Sequence, residues 1–400
     1  MYNKITVLGS TGSVGKQTLA ICQNYNLSVV SLACKSNWRL LLQQIRQFQP
    51  AAAALCTNDK NLIAEFKEAL ATTVFSSSTN ATYCGPQVFC GEDAAEKLVE
   101  FPCDLAVGAI SGLAGLASNS AFLQHGVDLA LANKESIVCG AAILDRAKKQ
   151  GNSKIISIDS EHAAINECLK AGRKEDFKKI WLTASGGPFR NWPEEKIAQA
   201  ELKDALRHPT WNMGAKITVD SASMMNKGLE IIEACYLFQV NFKQVEVVVH
   251  PQSIIHSAVE WQDGQVTAQM SFPDMQAPIK AAIFTPAKIA GVTQAFNFFD
   301  ARACSLTFYP PDFNKFPCLS LAQSAIMKGG IYPLVLNAAN EAAVNAFLEE
   351  KIRFGRIAQA VAYALDLCAG HRELPAADDL ATVLALDKQY RTYVREYLHV

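Results

Sequence analysis

Residues 4–15 read KITVLGSTGSVG, a short apolar run followed at once by three glycines, and this stretch decides the fold. The apolar run predicts a buried strand, and the KQTLAICQ that comes next predicts a helix. Glycines let the backbone turn tightly and approach a pyrophosphate, whose charge is attracted by the N–H groups at a helix start. The GxxGxxG spacing differs from GxGxxG, so the motif gains its weight from its place between strand and helix. A glycine-rich turn without a ligand is the alternative.

The residues after the second apolar run indicate which dinucleotide would bind. An Asp or Glu about 20 residues beyond the glycine turn normally holds the ribose of NAD. This chain has Cys34, Lys35, Ser36 and Asn37 there instead. With no carboxylate to repel a 2′-phosphate, and with polar groups able to bind one, the sequence favours NADP over NAD.

Up to residue 158, short apolar runs alternate with helical patterns. This alternation is typical of a parallel, doubly wound sheet, so we predict a Rossmann-like nucleotide-binding domain over residues 1–158. The apolar runs are residues 4–8, 27–33, 51–56, 104–109, 127–132 and 154–158.

The remainder of the chain changes character twice. Residues 159–285 mix helical and strand-like runs, which predicts an α+β domain for catalysis, metal binding and dimerisation. Three sequential strand-like runs in it predict an antiparallel section that could form a subunit interface. These runs are residues 245–250, 253–261 and 265–272. Residues 286–318 contain several prolines and predict a surface linker, and residues 319–400 predict a C-terminal helical bundle.

Length and composition limit the possible partners. A chain of 400 residues, 50% of them hydrophobic, is expected to form two or three domains. The formal net charge of −1 and the lack of Lys or Arg runs argue against nucleic acid or an anionic membrane as a partner. We find no export signal and no apolar span of about 20 residues, so we expect a cytoplasmic protein. Twelve cysteines without a CxxC pair predict reduced, mostly buried thiols.

The apolar strand over residues 155–158 is followed directly by Asp159, Ser160 and Glu161. Carboxylates two residues apart at the carboxyl end of a strand can both point into the crevice where doubly wound sheets bind ligands. Oxygen ligands of this kind suit Mg²⁺ or Mn²⁺. Alternatively, the two carboxylates cap a helix that starts at Ala163.

A second polar cluster, at residues 220–230, strengthens the metal hypothesis. If its helix begins near Ser223, then Asn226 and Glu230 lie one turn apart on the same face. Lys227 lies beside them. A carboxylate, an amide and an ammonium on one stripe can complete a metal site and hold a phosphate. The alternative is a solvated polar face, which the small and apolar neighbouring residues disfavour.

Two further segments lie between these clusters. Residues 183–189, TASGGPF, form a small-residue turn after the strand KKIWLTA and are suited to close approach of a phosphate. The segment LRHPTWNMGAK contains His208, Trp211 and Met213. A bulky residue on a mobile loop there can cover a substrate and exclude water. Packing of Trp211 into the core is the alternative.

Asn133, Lys134 and Glu135 follow the fifth predicted strand, at the same carboxyl edge of the sheet. Lys134 could contact substrate oxygens, and Glu135 could contact the cofactor. The alternative is an ordinary helix N-terminus, in which Asn133 is the cap and Glu135 favours the helix dipole. His250 and His256, in HPQSIIH, match no usual metal-ligand spacing and are predicted to be structural.

The chain resembles the 1-deoxy-D-xylulose-5-phosphate reductoisomerase family in the motifs GSTGSVG, LANKES, IDSEHAAI, TASGGPF, HPTWNMGAKITVDSASMMNKGLE and HPQSIIHS. The resemblance extends over nearly the whole chain, including LNAANEAAVNAFLEEKIRF near its end. It implies an NADP-dependent oxidoreductase of non-mevalonate isoprenoid biosynthesis. Such an enzyme rearranges and reduces 1-deoxy-D-xylulose 5-phosphate to 2-C-methyl-D-erythritol 4-phosphate. The resemblance further implies NADPH, a divalent metal (Mg²⁺, Mn²⁺ or Co²⁺) and a homodimer.

The resemblance also implies roles for individual residues. The implied metal ligands are Asp159, Glu161 and Glu230. The implied substrate contacts are Lys134, Ser160, Ser185, His208, Ser221, Asn226 and Lys227, several of them around the phosphate. Trp211 and Met213 match the family's flexible lid. The implied cofactor contacts, in addition to Gly9 of the glycine turn, are Thr11, Gly12, Ser13, Val14, Asn133, Glu135 and Gly214.

Cys34 departs from the family pattern, because many members have a glycine at this position. The register of the neighbouring Ser36 and Asn37 is therefore open, and so is the assignment of individual contacts to a 2′-phosphate. The preference for NADP does not depend on that assignment.

Two other functions remain open from the sequence. An NADP-dependent sugar- or polyol-phosphate dehydrogenase with the same domain plan would need hydride transfer but no metal. A non-catalytic NADP-sensing module would have no use for three convergent carboxylates. The presence of both acidic clusters favours the metal-dependent enzyme over either alternative.

Overall fold

The computed structural model describes residues 1–75, 83–211, 213–285, 287 and 294–400. Within these residues the chain forms eleven β-strands and fifteen α-helices, arranged around two β-sheets. It divides into two compact units. The first unit comprises Met1–Ser136, Ile143–Asp159 and Met275–Val292, and the second comprises Ile137–Ala142, Ser160–Asp274 and Thr293–Val400.

The sheet of the first unit contains seven of the described strands. They are β1 (Lys4–Leu8), β2 (Ser28–Cys34), β3 (Ala52–Leu55), β4 (Gln87–Cys90), β5 (Leu105–Gly108), β6 (Asp128–Leu131) and β7 (Ile155–Ser157). Every neighbouring pair is parallel, in the order β4-β3-β2-β1-β5-β6-β7. The predicted parallel, doubly wound sheet is therefore confirmed. The apolar pattern misses β4, because its four residues lie partly exposed at the edge of the sheet.

Helices pack against this sheet and enclose its core. They are α1 (Ser13–Asn24), α2 (Trp38–Phe48), α3 (Lys60–Ala71), α4 (Gly115–Gln124), α5 (Lys134–Gly151, of which Ile137–Ala142 is assigned to the second unit) and α11 (Gln276–Phe284). The core lies between strands and helices, where Val7, Leu32 and Val107 are fully buried. Helix α11 comes from late in the chain, and its Phe284 packs on Tyr25 with ring centroids 4.8 Å apart. The four-segment functional division of the chain stays a prediction.

The second unit contains a smaller, mixed sheet. Its strands are β8 (Phe177–Ala184), β9 (Val245–Val249), β10 (Ile255–Trp261) and β11 (Val266–Met270). They lie in the order β11-β10-β8-β9. The predicted antiparallel pairing is confirmed for β10 with β11, but it is wrong for β9, which pairs in parallel with β8. The reason is the long helical crossover between β8 and β9, which returns the chain in the same direction.

Helices make up most of the second unit. Within the described residues, one complete helix of this unit precedes β8 and four lie between β8 and β9 in the chain. They are α6 (Ser160–Leu169), α7 (Glu194–Ala198), α8 (Leu202–Ala205), α9 (Ala215–Ala222) and α10 (Met225–Phe238). The predicted C-terminal helical bundle is confirmed by α12 (Pro317–Lys328), α13 (Tyr332–Leu348), α14 (Gly355–Ala369) and α15 (Leu380–Leu398). Helix α13 is its centre, since nearly every residue from Leu334 to Phe347 is buried. Arg391 of α15 pairs with Glu341 of α13.

The predicted surface linker lies partly outside the described residues, which omit 286 and 288–293. Its later part is joined to the second sheet, because Val249 and Tyr309 exchange two backbone hydrogen bonds of 2.9 Å. None of the twelve cysteines, all of which lie in the described ranges, forms a disulfide. Across the same ranges, no helix has the length and apolarity needed to span a membrane.

Candidate active site

The glycine turn after β1 has the backbone geometry that its sequence predicts. Gly9 has φ +89°, and a Cβ there would lie 2.4 Å from the carbonyl oxygen of Ala109. A Cβ on Gly15 would lie 2.3 Å from the carbonyl oxygen of Gly9, so only glycine fits at both positions. The buried Ser10 side chain donates to Gln44 Oε1 at 2.7 Å and holds the turn in place. The first turn of α1, which contains Ser13 and Val14, therefore starts directly from a tight, fixed loop.

The carboxyl end of β2 leaves room for an anion. Lys35, Ser36 and Asn37 are exposed, and no carboxylate stands among them. Cys34 is buried, and its thiol is hydrogen-bonded to the side chain of Thr11 in the glycine turn. Burial raises the pKa of the Cys34 thiol to about 12, so it is a neutral packing group beneath the exposed residues.

The start of α5 combines a cap with a buried polar network. The Asn133 side chain accepts from the N–H of Ser136 at 3.0 Å, as the helix-cap alternative proposes. Its amide also donates to Glu135 Oε2 at 2.9 Å. Lys134 is buried and forms an ion pair with Asp159, which ends the middle segment of the first unit. Two of the predicted site residues, Lys134 and Asp159, are thus in direct contact.

The acidic cluster of the second unit surrounds a buried lysine. Lys227 Nζ donates to Glu161 Oε1 at 2.7 Å and also to the carboxylate of Glu230. Asn226 Nδ2 donates to Glu230 Oε1 at 2.5 Å, so the predicted one-turn spacing of Asn226 and Glu230 is confirmed. The Ser160 hydroxyl donates to the carboxylate of Glu161. Glu161 and Glu230 offer oxygens within 4.8 Å of each other, and Asp159 precedes Glu161 by two residues in the chain.

Local backbone geometry sets the positions of these carboxylates. Helix α6 begins at Ser160 rather than at Ala163, so Glu161 lies in its first turn. Helix α10 begins at Met225 rather than near Ser223, because Met224 takes the left-handed conformation with φ 58° and interrupts the helix. The predicted helix starts are therefore wrong by two or three residues, while the predicted side-chain spacing is right.

Two neighbouring carboxylates explain how the charged Lys227 side chain can be buried, with only 4% of its surface exposed. Burial by itself lowers the pKa of an ammonium, but Glu161 and Glu230 outweigh that effect and raise the pKa of Lys227 above its ordinary value. The carboxylates in turn need a cation, because an uncompensated buried charge is costly. Oxygen donors arranged in this way fit a hard divalent ion such as Mg²⁺.

A hydroxyl-bearing turn follows β8. Gly187 N–H donates to Ser185 Oγ at 3.2 Å, and His208 Nε2 lies 3.1 Å from the same oxygen. His208 Nδ1 accepts from the N–H of Trp211 at 2.9 Å, so the ring proton is on Nε2 and is donated to Ser185. With two hydrogen bonds accepted, the Ser185 hydroxyl has its own proton available for an anion. Ser221 packs against this turn, since a Cβ on Gly187 would lie 2.7 Å from the Ser221 carbonyl oxygen.

The predicted lid residues lie beyond this turn. Trp211 is partly buried, and its ring centroid is 6.2 Å from that of His256. Met213 is also partly buried, and Gly214 caps α9 with an open space where a Cβ would stand. Asn212, between them, lies outside the described residues. Movement of this segment stays a prediction.

Sequence reasoning missed two supporting groups. Arg190 Nη1 donates to the Ser185 carbonyl at 2.8 Å and so orients the turn. Its position directly after TASGGPF could have indicated this role from the sequence. His162 Nδ1 lies 3.4 Å from Glu233 Oε2, and its Nε2 donates to the Glu230 carbonyl at 3.0 Å. His162 therefore ties α6 to α10 behind the acidic cluster, and Glu233 could have been noticed three residues after Glu230.

A parallel sheet with a glycine turn after its first strand, together with an oxygen-rich acidic cluster, defines a dinucleotide-binding, metal-dependent class of enzyme. Profiles of known families agree. A 1-deoxy-D-xylulose 5-phosphate reductoisomerase profile matches residues 5–141, and profiles of its C-terminal domains match residues 155–238 and 270–393. The chain belongs to the 1-deoxy-D-xylulose 5-phosphate reductoisomerase family.

Individual relatives cover almost the whole chain. The 1-deoxy-D-xylulose 5-phosphate reductoisomerase of Rippkaea orientalis is 43% identical over 366 residues, which are 91% of this chain and 89% of that protein. The enzyme of Nostoc punctiforme is 42% identical over 394 residues, 98% of this chain and 95% of that protein.

Solved structures show the same fold. The Zymomonas mobilis enzyme in complex with NADPH has a TM-score of 0.86 and 35% identity, with 100% of this chain and 99% of that chain covered. A DOX-P reductoisomerase in complex with NADPH, fosmidomycin and magnesium has a TM-score of 0.89 and 34% identity, with coverage of 99% and 98%.

The protonation of His208 provides a test of this geometry. Burial lowers the pKa of His208 from 6.5 to about 4. Because the folded-state pKa is below the unfolded one, the neutral ring contributes stability that is fully present above about pH 6.5 and is lost as pH falls toward 4. A bound phosphate beside Ser185 adds negative charge and is expected to raise this pKa.

The measurement is an NMR titration of histidine-labelled protein, in which His208→Gln assigns the signal. The ligand-free protein should show His208 titrating well below pH 6.5, and the phosphorylated substrate should move the midpoint upward. An ordinary midpoint near 6.5 without ligand would contradict the partly buried, neutral ring.

Proposed function

We propose that this protein catalyses the NADPH- and divalent-metal-dependent rearrangement and reduction of 1-deoxy-D-xylulose 5-phosphate to 2-C-methyl-D-erythritol 4-phosphate. The observation that carries the proposal is the pair Glu161 and Glu230 converging on Lys227, in a chain of this family. A simple sugar- or polyol-phosphate dehydrogenase is less favoured, because hydride transfer alone needs no metal and therefore no cluster of carboxylates to bind one.

Asp159, Glu161 and Glu230 are the proposed metal ligands. Their oxygens match the preference of Mg²⁺, Mn²⁺ or Co²⁺, and a related enzyme contains magnesium. The bound ion supplies a Lewis acid for adjacent carbonyl and hydroxyl oxygens of the substrate. Ser160, which donates to Glu161, keeps that carboxylate oriented. Lys134 binds Asp159 and can also donate to a substrate oxygen.

Phosphate binding falls to the second unit. Ser185, His208 and Ser221 lie around one turn, and Asn226 and Lys227 lie at the start of α10. Ser185, Ser221, Asn226 and Lys227 carry donors, and Lys227 is a cation, as a phosphate requires. His208 donates its ring proton to Ser185 and so leaves the Ser185 hydroxyl proton for the phosphate. Binding energy from a phosphate remote from the reacting carbons orients the substrate. Trp211 and Met213 then cover it and exclude water.

Most of the proposed cofactor contacts lie in the first unit, and Gly214 lies in the second. Gly9 and Gly12 shape the turn, where their own N–H groups donate to the carbonyls of Ala33 and Gly9. Thr11, Ser13 and Val14 are proposed to present the start of α1 to a pyrophosphate. Lys35, Ser36 and Asn37 receive the 2′-phosphate, and Asn133, Glu135 and Gly214 complete the set of proposed contacts. NADPH, which the Zymomonas mobilis relative binds, supplies the hydride.

Metal dependence separates this function from its alternatives. Protein stripped with a chelator should lose NADPH oxidation with 1-deoxy-D-xylulose 5-phosphate and regain it with Mn²⁺. Glu230→Gln should weaken Mn²⁺ binding and lower kcat/KM by roughly 100-fold or more, because one charged ligand is lost. Glu167→Gln, at a partly exposed position of α6 that pairs with Lys170, is the matched control and should behave like wild type.

Both Mn²⁺ affinity, by electron paramagnetic resonance, and turnover are measured. Full turnover by the stripped protein would favour the simple dehydrogenase. No substrate-dependent NADPH oxidation under any condition would favour the sensing module.

The preference for NADPH over NADH tests the proposed role of the residues that follow β2. Lys35→Glu places a carboxylate where the family of NAD-binding folds has one, so it should raise KM for NADPH at least about tenfold and leave KM for NADH nearly unchanged. Lys67→Glu, an exposed lysine on α3, controls for the change in net charge. Steady-state kinetics with both nucleotides decide; equal use of NADPH and NADH by the wild type would refute the preference.

A homodimer in the cytoplasm is the proposed state of the protein. Strand β11 forms one edge of the second sheet, and Val266 on it is 54% exposed. Among the described residues no strand pairs with the outer side of β11, and an edge strand with an exposed apolar residue is suited to pairing with a second chain. Sedimentation of the intact protein should give twice the mass of the chain, and Ala268→Pro on β11 should shift it to monomer. A monomeric wild type at micromolar concentration would exclude the proposal.

A further inference from the structure

A buried carboxylate that the proposed reaction does not use lies near the end of α9. Asp220 is 1% exposed, and both of its oxygens have partners. Lys216 Nζ lies 2.9 Å from Oδ2, one helical turn earlier. Asn340 of α13, which is fully buried, donates from Nδ2 to Oδ1 at 2.7 Å. Asp220 thus joins α9 to the central helix of the C-terminal bundle.

The position of Asp220 coincides with a joint in the backbone. The next residue is Ser221, whose carbonyl oxygen lies against the turn that contains Ser185 and accepts from the N–H of Met224 at 3.2 Å. Met224 is the left-handed residue that separates α9 from α10. Ser223 Oγ donates to the Asp220 carbonyl at 3.2 Å and accepts from Met225 N–H at 3.3 Å. Movement of Asp220 would therefore move Ser221 and the start of α10 together.

The arrangement is costly for a purely structural contact. Burying a carboxylate is costly unless its partners are well placed. The contact also leaves Asn340 Oδ1 buried without a hydrogen-bond partner among the described residues. Apolar residues would join two helices at less cost. A charged group placed here has a directional role, since hydrogen bonds fix orientation more narrowly than apolar packing does.

We propose that Asp220, held by Lys216 and Asn340, is a positioning residue for the phosphate of the substrate. It fixes the α9–α10 joint so that Ser221, Asn226 and Lys227 present their donors in one arrangement. The proposal rests on the proposed function, because that function identifies these residues as phosphate contacts. Asp220 itself contacts Lys216, Asn340 and Ser223, none of which is a proposed metal ligand, so Mn²⁺ affinity is measured as a separate readout.

The test is a charge-exchange cycle between the two helices. Asp220→Asn removes the charge, and Asn340→Asp places two carboxylates face to face. The double variant restores one carboxylate and one amide with their places exchanged. We expect the dissociation constant for 1-deoxy-D-xylulose 5-phosphate, measured by calorimetry without NADPH, to rise about tenfold in each single variant. The double variant should recover most of that loss, while Mn²⁺ affinity stays within about twofold throughout.

A second asparagine of α13 is the matched control. Asn337 is as buried as Asn340 and lies one turn earlier, but its amide is 3.4 Å from Glu341 on the same helix. Asn337→Asp should lower the melting temperature without changing the dissociation constant for the substrate. Lys216→Met, at a partly exposed position, provides a further variant if Asp220→Asn does not fold, and it should raise the dissociation constant about threefold.

The possible results distinguish failure of the positioning role of Asp220 from failure of the proposed function. Wild-type substrate affinity in folded Asp220→Asn and Lys216→Met, or single-variant losses that simply add in the double variant, would overturn the positioning role alone. Wild-type protein that neither binds nor turns over 1-deoxy-D-xylulose 5-phosphate would overturn the proposed function itself. Substrate affinity that falls and is recovered by the exchange supports both.

Discussion

The ammonium of Lys227, buried between the carboxylates of Glu161 and Glu230, is the interaction on which the second unit depends. Two carboxylates on different helices repel each other unless a cation lies between them, and this repulsion grows as water is excluded. The lysine therefore holds the starts of α6 and α10 together. His162 supports the same pair of helices from behind.

In the first unit, the position of the glycine turn depends on steric exclusion of side chains rather than on charge. Gly9 and Gly15 approach neighbouring backbone so closely that no Cβ can be placed there. The constraint brings the first turn of α1 to the carboxyl end of β1, in the middle of a seven-stranded parallel sheet. Backbone donors at that edge serve any dinucleotide, so the choice between NADP and NAD rests on the exposed residues after β2.

Much of the fold and of the site could be predicted, because the signals are local. The parallel sheet follows from apolar runs that alternate with helical patterns, and the pairing of Asn226 with Glu230 follows from helical periodicity. Strand β4 could not be predicted, since an edge strand lacks a continuous apolar run. The parallel pairing of β9 depends on a crossover of many residues, and local patterns do not report which strand it returns to.

The sequence by itself determined the kinds of chemistry available: a glycine turn for a dinucleotide, carboxylates after a strand, and an amide, a lysine and a carboxylate on one helix face. Short-range sterics and helical spacing are sufficient for that. Tertiary structure alone decided which groups meet, because Lys227 with Glu161 and Asp220 with Asn340 are far apart in the chain. Buried polar groups must find partners, and only the packed helices determine which partners are within reach.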